Sequence, residues 1–314
     1  MTFDLRPPTR VLLANRLAEP IAAGLRAAKP GLEVRAKQVH EVTPDDLAWA
    51  EALVGFKRPA AGIGTVRWVH SIGAGVDAFL DGPAWPANVL LTRTNEPFGP
   101  AMGEFVLARL LAFAQHLPEF ASDQREHRWK PVTPQRLAGS RAVVIGTGEV
   151  GRGIAAALTT AGVRVTGVSR SGARAPGFEA VKPVADLAAL MPFTEWLVLA
   201  APLTPGTRGL IGPDVLARCH GLRLVNVSRG GLVDEPALLS ALDAGRVAAA
   251  ALDVFDEEPL PATSPLWNHP GVFISPHVAG VTTTEGAIAG FLECLAALER
   301  GHRPRLEVDP VRGY

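Results

Sequence analysis

A glycine-rich turn near the middle of the chain constrains its fold more than any other sequence feature. The sequence GTGEVG (146–151) directly follows the apolar, β-branched run RAVVI (141–145) and opens a helical stretch over 150–161. At such a strand-to-helix turn, backbone N–H groups and the helix dipole can hold a pyrophosphate, although glycines also mark ordinary turns. The pattern therefore predicts a Rossmann-type dinucleotide site. The residues expected to line it are Gly146, Gly148, Glu149, Val150 and Gly151.

Two further features near this motif bear on the cofactor. A carboxylate beside a pyrophosphate is unfavourable, so we expect Glu149 to point to solvent. The next strand ends at Ser169-Arg170-Ser171, where an NAD-specific site carries an acid for the ribose hydroxyls. Arg170, with Arg174 nearby, offers instead a fork that can pair with a 2′-phosphate, unless both arginines are solvated surface charges. The sequence thus predicts NADP, with NADPH preferred and NAD possible.

Composition excludes several other classes of protein. At 314 residues the chain exceeds most single domains, so two domains are expected, and 31 basic against 31 acidic side chains give no reason to expect nucleic acid. Cys219 and Cys294 lie far apart without ligand spacing, so we predict neither a disulfide nor a metal site. The N-terminus lacks an apolar signal segment, and no apolar run is long enough to span a bilayer. We expect a cytoplasmic protein with no membrane partner.

Short β-rich runs alternate with Ala- and Leu-rich helical stretches along the whole chain, the pattern of an α/β fold. We predict a doubly wound parallel sheet (Rossmann) for cofactor binding in residues 99–281. Residues 1–98 and 282–314 should form a smaller, discontinuous, flavodoxin-like α/β substrate domain. The expected strands are 10–14, 32–37, 66–72, 89–94, 141–145, 164–169, 195–200, 222–228, 248–254 and 272–275, and the main expected helices are 99–116, 118–127, 150–161 and 283–299.

Three short segments follow predicted strands of the cofactor domain. They are NVSRGGLVDE (226–235), ALDVFDEEPLP (251–261) and SPHVAG (275–280). Open α/β sheets bind ligands at the carboxyl ends of their strands. The three segments are therefore expected to bring an arginine, a glutamate and a histidine into one crevice.

These three side chains suit the reduction of a 2-keto acid. Arg229 can clamp a carboxylate and polarise the keto oxygen, His277 can donate the proton, and Glu258 can hold the imidazole and favour its protonated form. Each has an ordinary alternative: a capping or surface charge for Arg229, a loop histidine for His277, and a solvated acidic turn for 256–258.

Over nearly its whole length the chain resembles the D-2-hydroxyacid dehydrogenases. The resemblance runs from HSIGAGVD (70–77) through the glycine motif, WLVLAAPLTPGTRGLI (196–211) and the three segments above to VDPVRGY (308–314). Within that family the chain is most similar to reductases of glyoxylate and hydroxypyruvate, which are therefore the substrates implied.

The resemblance also implies residue roles. Arg229 matches the substrate-binding arginine, His277 the acid/base histidine and Glu258 its partner. The peptides of Gly73, Ala74 and Gly75 match a substrate-carboxylate loop, and Asp253 matches a residue near the nicotinamide carboxamide. The other cofactor-lining positions are Pro202, Thr207, Val227, Ser228, Ala279 and Gly280.

A homodimer is implied as well, because the helix predicted over 99–116 matches one used in the family's dimer contact. Trp129, in the loop after it, is expected to reach the partner's substrate pocket, unless it packs on its own domain. The loop GFKRP (55–59) differs from the tryptophan-containing loop of the most similar relatives, so we expect Phe56 to form that wall of the pocket.

Two other functions fit the same fold. A dinucleotide-sensing binding protein or corepressor would need no catalytic residues, so the complete set of arginine, glutamate and histidine favours an enzyme. A formate or phosphite dehydrogenase is a nearer rival. Glu258 as the partner of His277 fits hydroxy acids better than formate enzymes, in which that partner resembles a glutamine.

Overall fold

A computed structural model describes residues 6–94, 96–311 and 313 of the chain, so Arg312 and Tyr314 of the terminal motif lie outside the described residues. The chain divides into unit 1, Met1–Glu96 with Thr282–Tyr314, and unit 2, Pro97–Val281. The sequence prediction put the boundaries after residues 98 and 281.

Unit 1 is built on a parallel sheet whose strands, among the described residues, run in the order β2-β1-β3-β4-β5. This is the flavodoxin-like order, which confirms the predicted α/β class of this unit. The strands are β1 (Arg10–Ala14), β2 (Glu33–Lys37), β3 (Ala52–Gly55), β4 (Trp68–Ser71) and β5 (Leu90–Arg93).

Helices cover both faces of this sheet, and the last of them comes from the C-terminal part of the chain. They are α1 (Ala18–Ala28), α2 (Pro44–Trp49), α3 (Asp77–Leu80) and the last helix of the chain (Thr284–Glu299). That last helix packs Phe291 against Trp68 of β4, with ring centroids 4.7 Å apart and 10° between the planes. Beside them His70 is fully buried between the hydroxyls of Thr92 and Thr94, and burial lowers its pKa to about 3.

Unit 2 contains a larger parallel sheet, with the described strands in the order β12-β11-β10-β9-β6-β7-β8. Counted from β6, this is the doubly wound Rossmann order with one further strand at the edge, which confirms the predicted fold class. The strands are β6 (Arg141–Ile145), β7 (Arg164–Ser169), β8 (Ala180–Pro183), β9 (Trp196–Leu199), β10 (Leu222–Asn226), β11 (Val247–Leu252) and β12 (Val272–Ile274).

Two helices of unit 2 pack closely against each other at glycines. The helices of this unit are α4 (Phe98–Ala114), α5 (Leu117–Arg125), α6 (Glu149–Thr160), α7 (Leu187–Leu190), α8 (Pro213–Leu216) and α9 (Glu235–Asp243), which makes the last helix of the chain α10. A Cβ at Gly103 of α4 would lie 2.8 Å from the carbonyl oxygen of Gly153 in α6. Only glycine allows these two helices to approach so closely.

Both cysteines lie in hydrophobic cores, Cys219 in unit 2 and Cys294 in unit 1. Burial raises the pKa of the Cys219 thiol to about 11 and that of Cys294 to about 12. Within the described ranges, no group of His, Cys, Asp and Glu side chains is arranged to hold a metal ion. No helix among the described residues combines the length and the apolar character needed to span a bilayer.

Candidate active site

The glycine motif forms a tight turn between β6 and α6. Gly146 has a φ of +103°, and a Cβ there would lie 2.4 Å from the carbonyl oxygen of Ala200. At Gly151 a Cβ would lie 1.8 Å from the carbonyl oxygen of Gly146, whereas at Gly148 it would meet nothing within 4 Å. The first and third glycines thus close the turn, and the second leaves open space over its backbone. This arrangement fits a pyrophosphate at the N-terminus of α6.

The prediction that Glu149 points to solvent was wrong. Its side chain is half-buried, and Oε1 accepts a hydrogen bond from the N–H of Gly99 at 3.0 Å. Gly99 lies in the first turn of α4, whose N–H groups have no partner within the helix. Glu149 therefore accepts a hydrogen bond from an N–H group that has no partner within α4. Its carboxylate lies at the N-terminus of that helix, where a negative charge is favourable.

The strand end expected to select the cofactor lies where β7 turns toward β8. Ser169 Oγ accepts a hydrogen bond from the N–H of Gly172 at 3.1 Å, and Ser171 Oγ accepts one from Ala173 at 3.3 Å. Arg170 and its neighbour Ser171 are exposed. The two serines therefore fix a tight turn from which the Arg170 side chain projects.

Two cofactor-lining segments predicted from the sequence lie after β9 and β10. Thr207 Oγ1 donates to the carbonyl of Pro202 at 2.7 Å and accepts from the N–H of Thr204 at 2.8 Å. Ser228 Oγ donates to the carbonyl of Ala201, and the buried Val227 lies beside it. These contacts order the loops at the carboxyl ends of the two strands.

His277 and Glu258 form a hydrogen-bonded pair. The distance from His277 Nδ1 to Glu258 Oε2 is 2.7 Å, and the two side chains are 46% and 34% exposed. Because an ionised carboxylate only accepts, Nδ1 carries the proton of this bond. Nε2 is thus the nitrogen that can exchange a proton with a ligand.

Glu258 is held in place from the protein side as well. Its Oε1 accepts a hydrogen bond from the N–H of Phe255 at 3.0 Å. Burial alone would raise the pKa of the Glu258 carboxyl, but the hydrogen bonds from His277 and Phe255 and the charges of His277 and Arg229 outweigh it and lower that pKa. Glu258 is therefore ionised at neutral pH.

Arg229 lies on a loop that is ordered by buried groups. Asn226, 1% exposed at the end of β10, donates from Nδ2 to the carbonyl of Arg229 at 2.9 Å and accepts from the N–H of Ser228 at 3.1 Å. At Gly230 a Cβ would lie 1.8 Å from the carbonyl carbon of Phe255, so only glycine fits between the two loops. The loop of Arg229 is thus packed directly on the segment that leads to Glu258.

The loop that carries His277 continues through the two predicted cofactor residues that follow. Ala279 is buried, and its N–H donates to the Asp253 carboxylate at 2.8 Å. Gly280 lies against α4, where a Cβ would be 3.1 Å from Met102 Sδ. The trio of Arg229, Glu258 and His277 therefore belongs to one unit, on adjoining loops at the carboxyl ends of β10, β11 and β12.

The predicted substrate-carboxylate loop lies in unit 1, after β4. Ser71 Oγ donates to the carbonyls of Gly73 and Gly75 at 3.2 and 2.8 Å, and Arg93 Nη1 donates to that of Ala74 at 2.9 Å. In a trans peptide the N–H points opposite to the C=O. The N–H groups that follow these carbonyls, those of Ala74, Gly75 and Val76, therefore point away from Ser71 and Arg93. The half-buried Phe56 lies next to this loop: its Cδ1 would be 3.5 Å from a Cβ at Gly73.

Trp129 lies in the stretch between α5 and β6 and is 98% exposed, so the alternative that it packs on its own domain does not hold in this chain. Before it, Arg128 pairs with Asp123 and Glu126, which orders the start of this stretch.

Sequence reasoning missed the residues that support the site. These are Ser71 and Arg93 behind the carboxylate loop, Asn226 behind Arg229, and Ser275 before His277. Each is a polar residue at or next to the end of a hydrophobic strand, and that position is the only signal that would have marked them.

Comparison with known proteins gives the family. Residues 107–279 match the model of the D-isomer specific 2-hydroxyacid dehydrogenase, NAD binding domain. The chain is 33% identical over 306 residues to the glyoxylate/hydroxypyruvate reductase A of Serratia proteamaculans, covering 95% of this chain and 96% of that protein. This chain belongs to the D-isomer specific 2-hydroxyacid dehydrogenase family.

Solved structures of this dehydrogenase family have the same fold. A D-isomer specific 2-hydroxyacid dehydrogenase of Xanthobacter autotrophicus, in complex with NADPH and MES, is 34% identical with a TM-score of 0.86 and covers 98% of this chain and 100% of its own. An NADPH-dependent glyoxylate/hydroxypyruvate reductase of Sinorhizobium meliloti, in complex with NADP and sulfate, is 28% identical with a TM-score of 0.85 and covers the same shares. The family is one of NAD(P)-dependent dehydrogenases, and residues 107–279 of this chain form its NAD-binding domain.

Proposed function

We propose that this dehydrogenase is an NADPH-dependent reductase that converts a small 2-keto acid, such as glyoxylate or hydroxypyruvate, to the D-2-hydroxy acid. The observation that carries the proposal is the 2.7 Å bond between His277 and Glu258, beside Arg229 at the strand ends of the NAD-binding domain. The relatives named glyoxylate/hydroxypyruvate reductase support the choice of substrate.

In the proposed reaction each residue has one task. The glycine turn of residues 146–151 would hold the dinucleotide, which would supply the hydride for C2 of the keto acid. His277 Nε2 gives its proton to the keto oxygen, which completes the hydroxyl group. Glu258 keeps the opposite nitrogen protonated and compensates the positive charge of the ring before transfer. Arg229 binds the carboxylate and polarises the carbonyl.

A direct assay separates this function from its rivals. Purified protein is mixed with NADPH and glyoxylate or hydroxypyruvate, the loss of reduced cofactor is followed by absorbance, and the product is resolved on a chiral column. We expect consumption of NADPH and the D product. Cofactor binding with no turnover across a panel of keto acids would favour a dinucleotide-sensing protein. Turnover of formate or phosphite with oxidised cofactor, and none of keto acids, would favour the other enzyme class.

The preference for NADPH over NADH is a separate prediction that rests on the turn after β7. We expect kcat/KM with glyoxylate to favour NADPH by about tenfold to a hundredfold, because Arg170 gives the 2′-phosphate a charge-assisted bond that salt partly screens. Arg170→Ala should remove most of the difference. Ser169→Asp should reverse it, because a carboxylate there repels the phosphate and accepts from the ribose hydroxyls. Arg218→Ala, an exposed arginine in another part of unit 2, is the control. Equal use of both cofactors, or an unchanged ratio in Arg170→Ala, would show that the phosphate is not recognised at this turn.

We also propose that the protein is a homodimer in which α4 contributes to the contact and Trp129 reaches the partner's substrate pocket. The 98% exposure of Trp129 supports a role outside its own unit, and the exposed Leu111 on α4 supports an apolar contact. Trp129→Ala should alter the ratio of kcat/KM between glyoxylate and hydroxypyruvate at least about threefold, while Tm stays within a few degrees because the side chain buries almost nothing in the chain. Phe193→Ala, another exposed aromatic, is the control. A monomer by light scattering, or unchanged selectivity, would contradict this role of Trp129.

A further inference from the structure

We propose that Asp253 is a positioning residue: its buried carboxylate holds the loop of His277 in the conformation in which the imidazole meets Glu258. This inference deepens the proposed function and rests on it. It differs from the role that the family resemblance implies for Asp253, which is a contact with the nicotinamide carboxamide.

The carboxylate of Asp253 is engaged by three donors of a single loop. Oδ1 accepts from Ser275 Oγ at 2.6 Å and from the N–H of Val278 at 3.0 Å, and Oδ2 accepts from the N–H of Ala279 at 2.8 Å. The residue itself is 2% exposed. A carboxylate has about four acceptor positions, and three hydrogen bonds from the stretch between Ser275 and Ala279 use most of them.

His277 lies at the centre of this stretch, in a backbone conformation that needs support. Its φ is +53°, in the left-handed region that residues other than glycine rarely adopt. Its own N–H donates to the backbone carbonyl of Asp253 at 2.8 Å. The side chain of Asp253 binds the loop on both sides of His277 and its main chain binds His277 itself, so this one residue fixes the unusual turn.

A neutral isostere cannot make the same three bonds. All three partners donate hydrogen atoms, and an asparagine would direct its amide N–H₂ group at one of these donors. The required chemistry is thus that of a carboxylate.

The same residue joins the two other catalytic loops. The N–H of Asp253 donates to the carbonyl of Asn226 at 3.0 Å, and the side chain of Asn226 orders the loop of Arg229. Asp253 also comes directly after β11, five residues before Glu258 in the sequence. A disturbance at Asp253 should therefore appear first in the geometry of His277 and not in the binding of cofactor.

The test compares Asp253→Asn with Asp46→Asn, a substitution of another buried carboxylate, one that caps a helix in unit 1. In Asp253→Asn we expect kcat for keto-acid reduction to fall about tenfold to a hundredfold, because a small displacement of a catalytic group from its productive position costs up to about that much in rate. The KM for NADPH should change less than twofold. The pH profile of kcat should differ from that of the wild type, because the ring no longer meets its carboxylate. Asp46→Asn should lower Tm and leave kcat and the pH profile unchanged.

A second variant and a readout without turnover complete the design. Ser275→Ala removes one bond and keeps the charge, so it should shift the same properties in the same direction by a smaller factor. Imidazole nitrogen NMR of the resting protein, with the His277 signal identified by its loss in His277→Asn, reports the bond from Nδ1 to Glu258. We expect this signal to change in Asp253→Asn and to be unaltered in Asp46→Asn.

The outcomes separate the inference from the proposed function. An unchanged ring signal and pH profile in both Asp253→Asn and Ser275→Ala would overturn the positioning role, even if the enzyme reduces keto acids. So would a loss confined to cofactor affinity, which is the result that the carboxamide role predicts. A wild-type protein without keto-acid reduction would instead overturn the proposed function, and the ring signal would still decide whether Asp253 holds the loop.

Discussion

Replacing His277 by asparagine should lower kcat for keto-acid reduction by at least about a hundredfold, because the variant has no general acid for the keto oxygen. Asparagine is the suitable substitute since it tolerates the positive φ of +53° at this position better than alanine or glutamine. Cofactor affinity, measured by nicotinamide fluorescence, should stay within about twofold. The wild-type rate should not fall toward mildly acidic pH, because Glu258 has a lowered pKa and remains ionised there.

Full activity in His277→Asn would require another proton donor and would contradict the mechanism. A fall of the wild-type rate toward mildly acidic pH would contradict the role of Glu258. His220→Asn is the matched control, since that histidine is exposed between α8 and β10 and should be replaceable without effect.

Replacing Arg229 by lysine should have the second largest effect, a fall in kcat/KM for the keto acid of about thirtyfold or more. Lysine keeps the charge but loses the planar fork that binds a carboxylate through two bonds, and a charged hydrogen bond contributes about 1.5 to 3 kcal/mol. Because the same fork polarises the carbonyl in the transition state, kcat should fall as well as substrate affinity. Cofactor binding should be preserved, so the two dissociation constants are measured separately.

Arg223→Lys is the control and tests whether the same substitution at another arginine of unit 2 has an equal effect. Its guanidinium lies over the Trp196 ring, 5.0 Å from the centroid, and this contact should not matter for turnover. If Arg229→Lys matched the wild type across a series of keto acids, the carboxylate would have to be bound by another cation.

The sequence predicted the two sheets well where strands are long and apolar, as at 10–14, 141–145 and 164–169, because these runs differ clearly from their surroundings. It missed β3 (Ala52–Gly55) and β8 (Ala180–Pro183), which are four residues long and lack an alternating pattern. In the folded chain these strands are identified by their pairing, β3 with β1 and β4, and β8 with β7.

In the candidate site, the sequence could predict the residues proposed to carry the chemistry but not the residues that position them. Arg229, Glu258 and His277 stand in distinctive segments after strands, so sequence alone could nominate them. The contact of Glu149 with Gly99 joins residues fifty positions apart, and the three bonds of Asp253 reach across more than twenty. Such long-range contacts depend on the packing of the completed fold, which local patterns do not contain.

The burial of both cysteines has a practical consequence for labelling. The thiolate is the reactive form of cysteine, and with thiol pKa values of about 11 and about 12 neither Cys219 nor Cys294 supplies much of it at neutral pH. Maleimide dyes should therefore leave the folded native chain almost unmodified. A single cysteine placed at the exposed position of Trp129 would then carry a fluorophore alone, without prior removal of the natural thiols. The intensity and anisotropy of that fluorophore would follow association of chains during dilution.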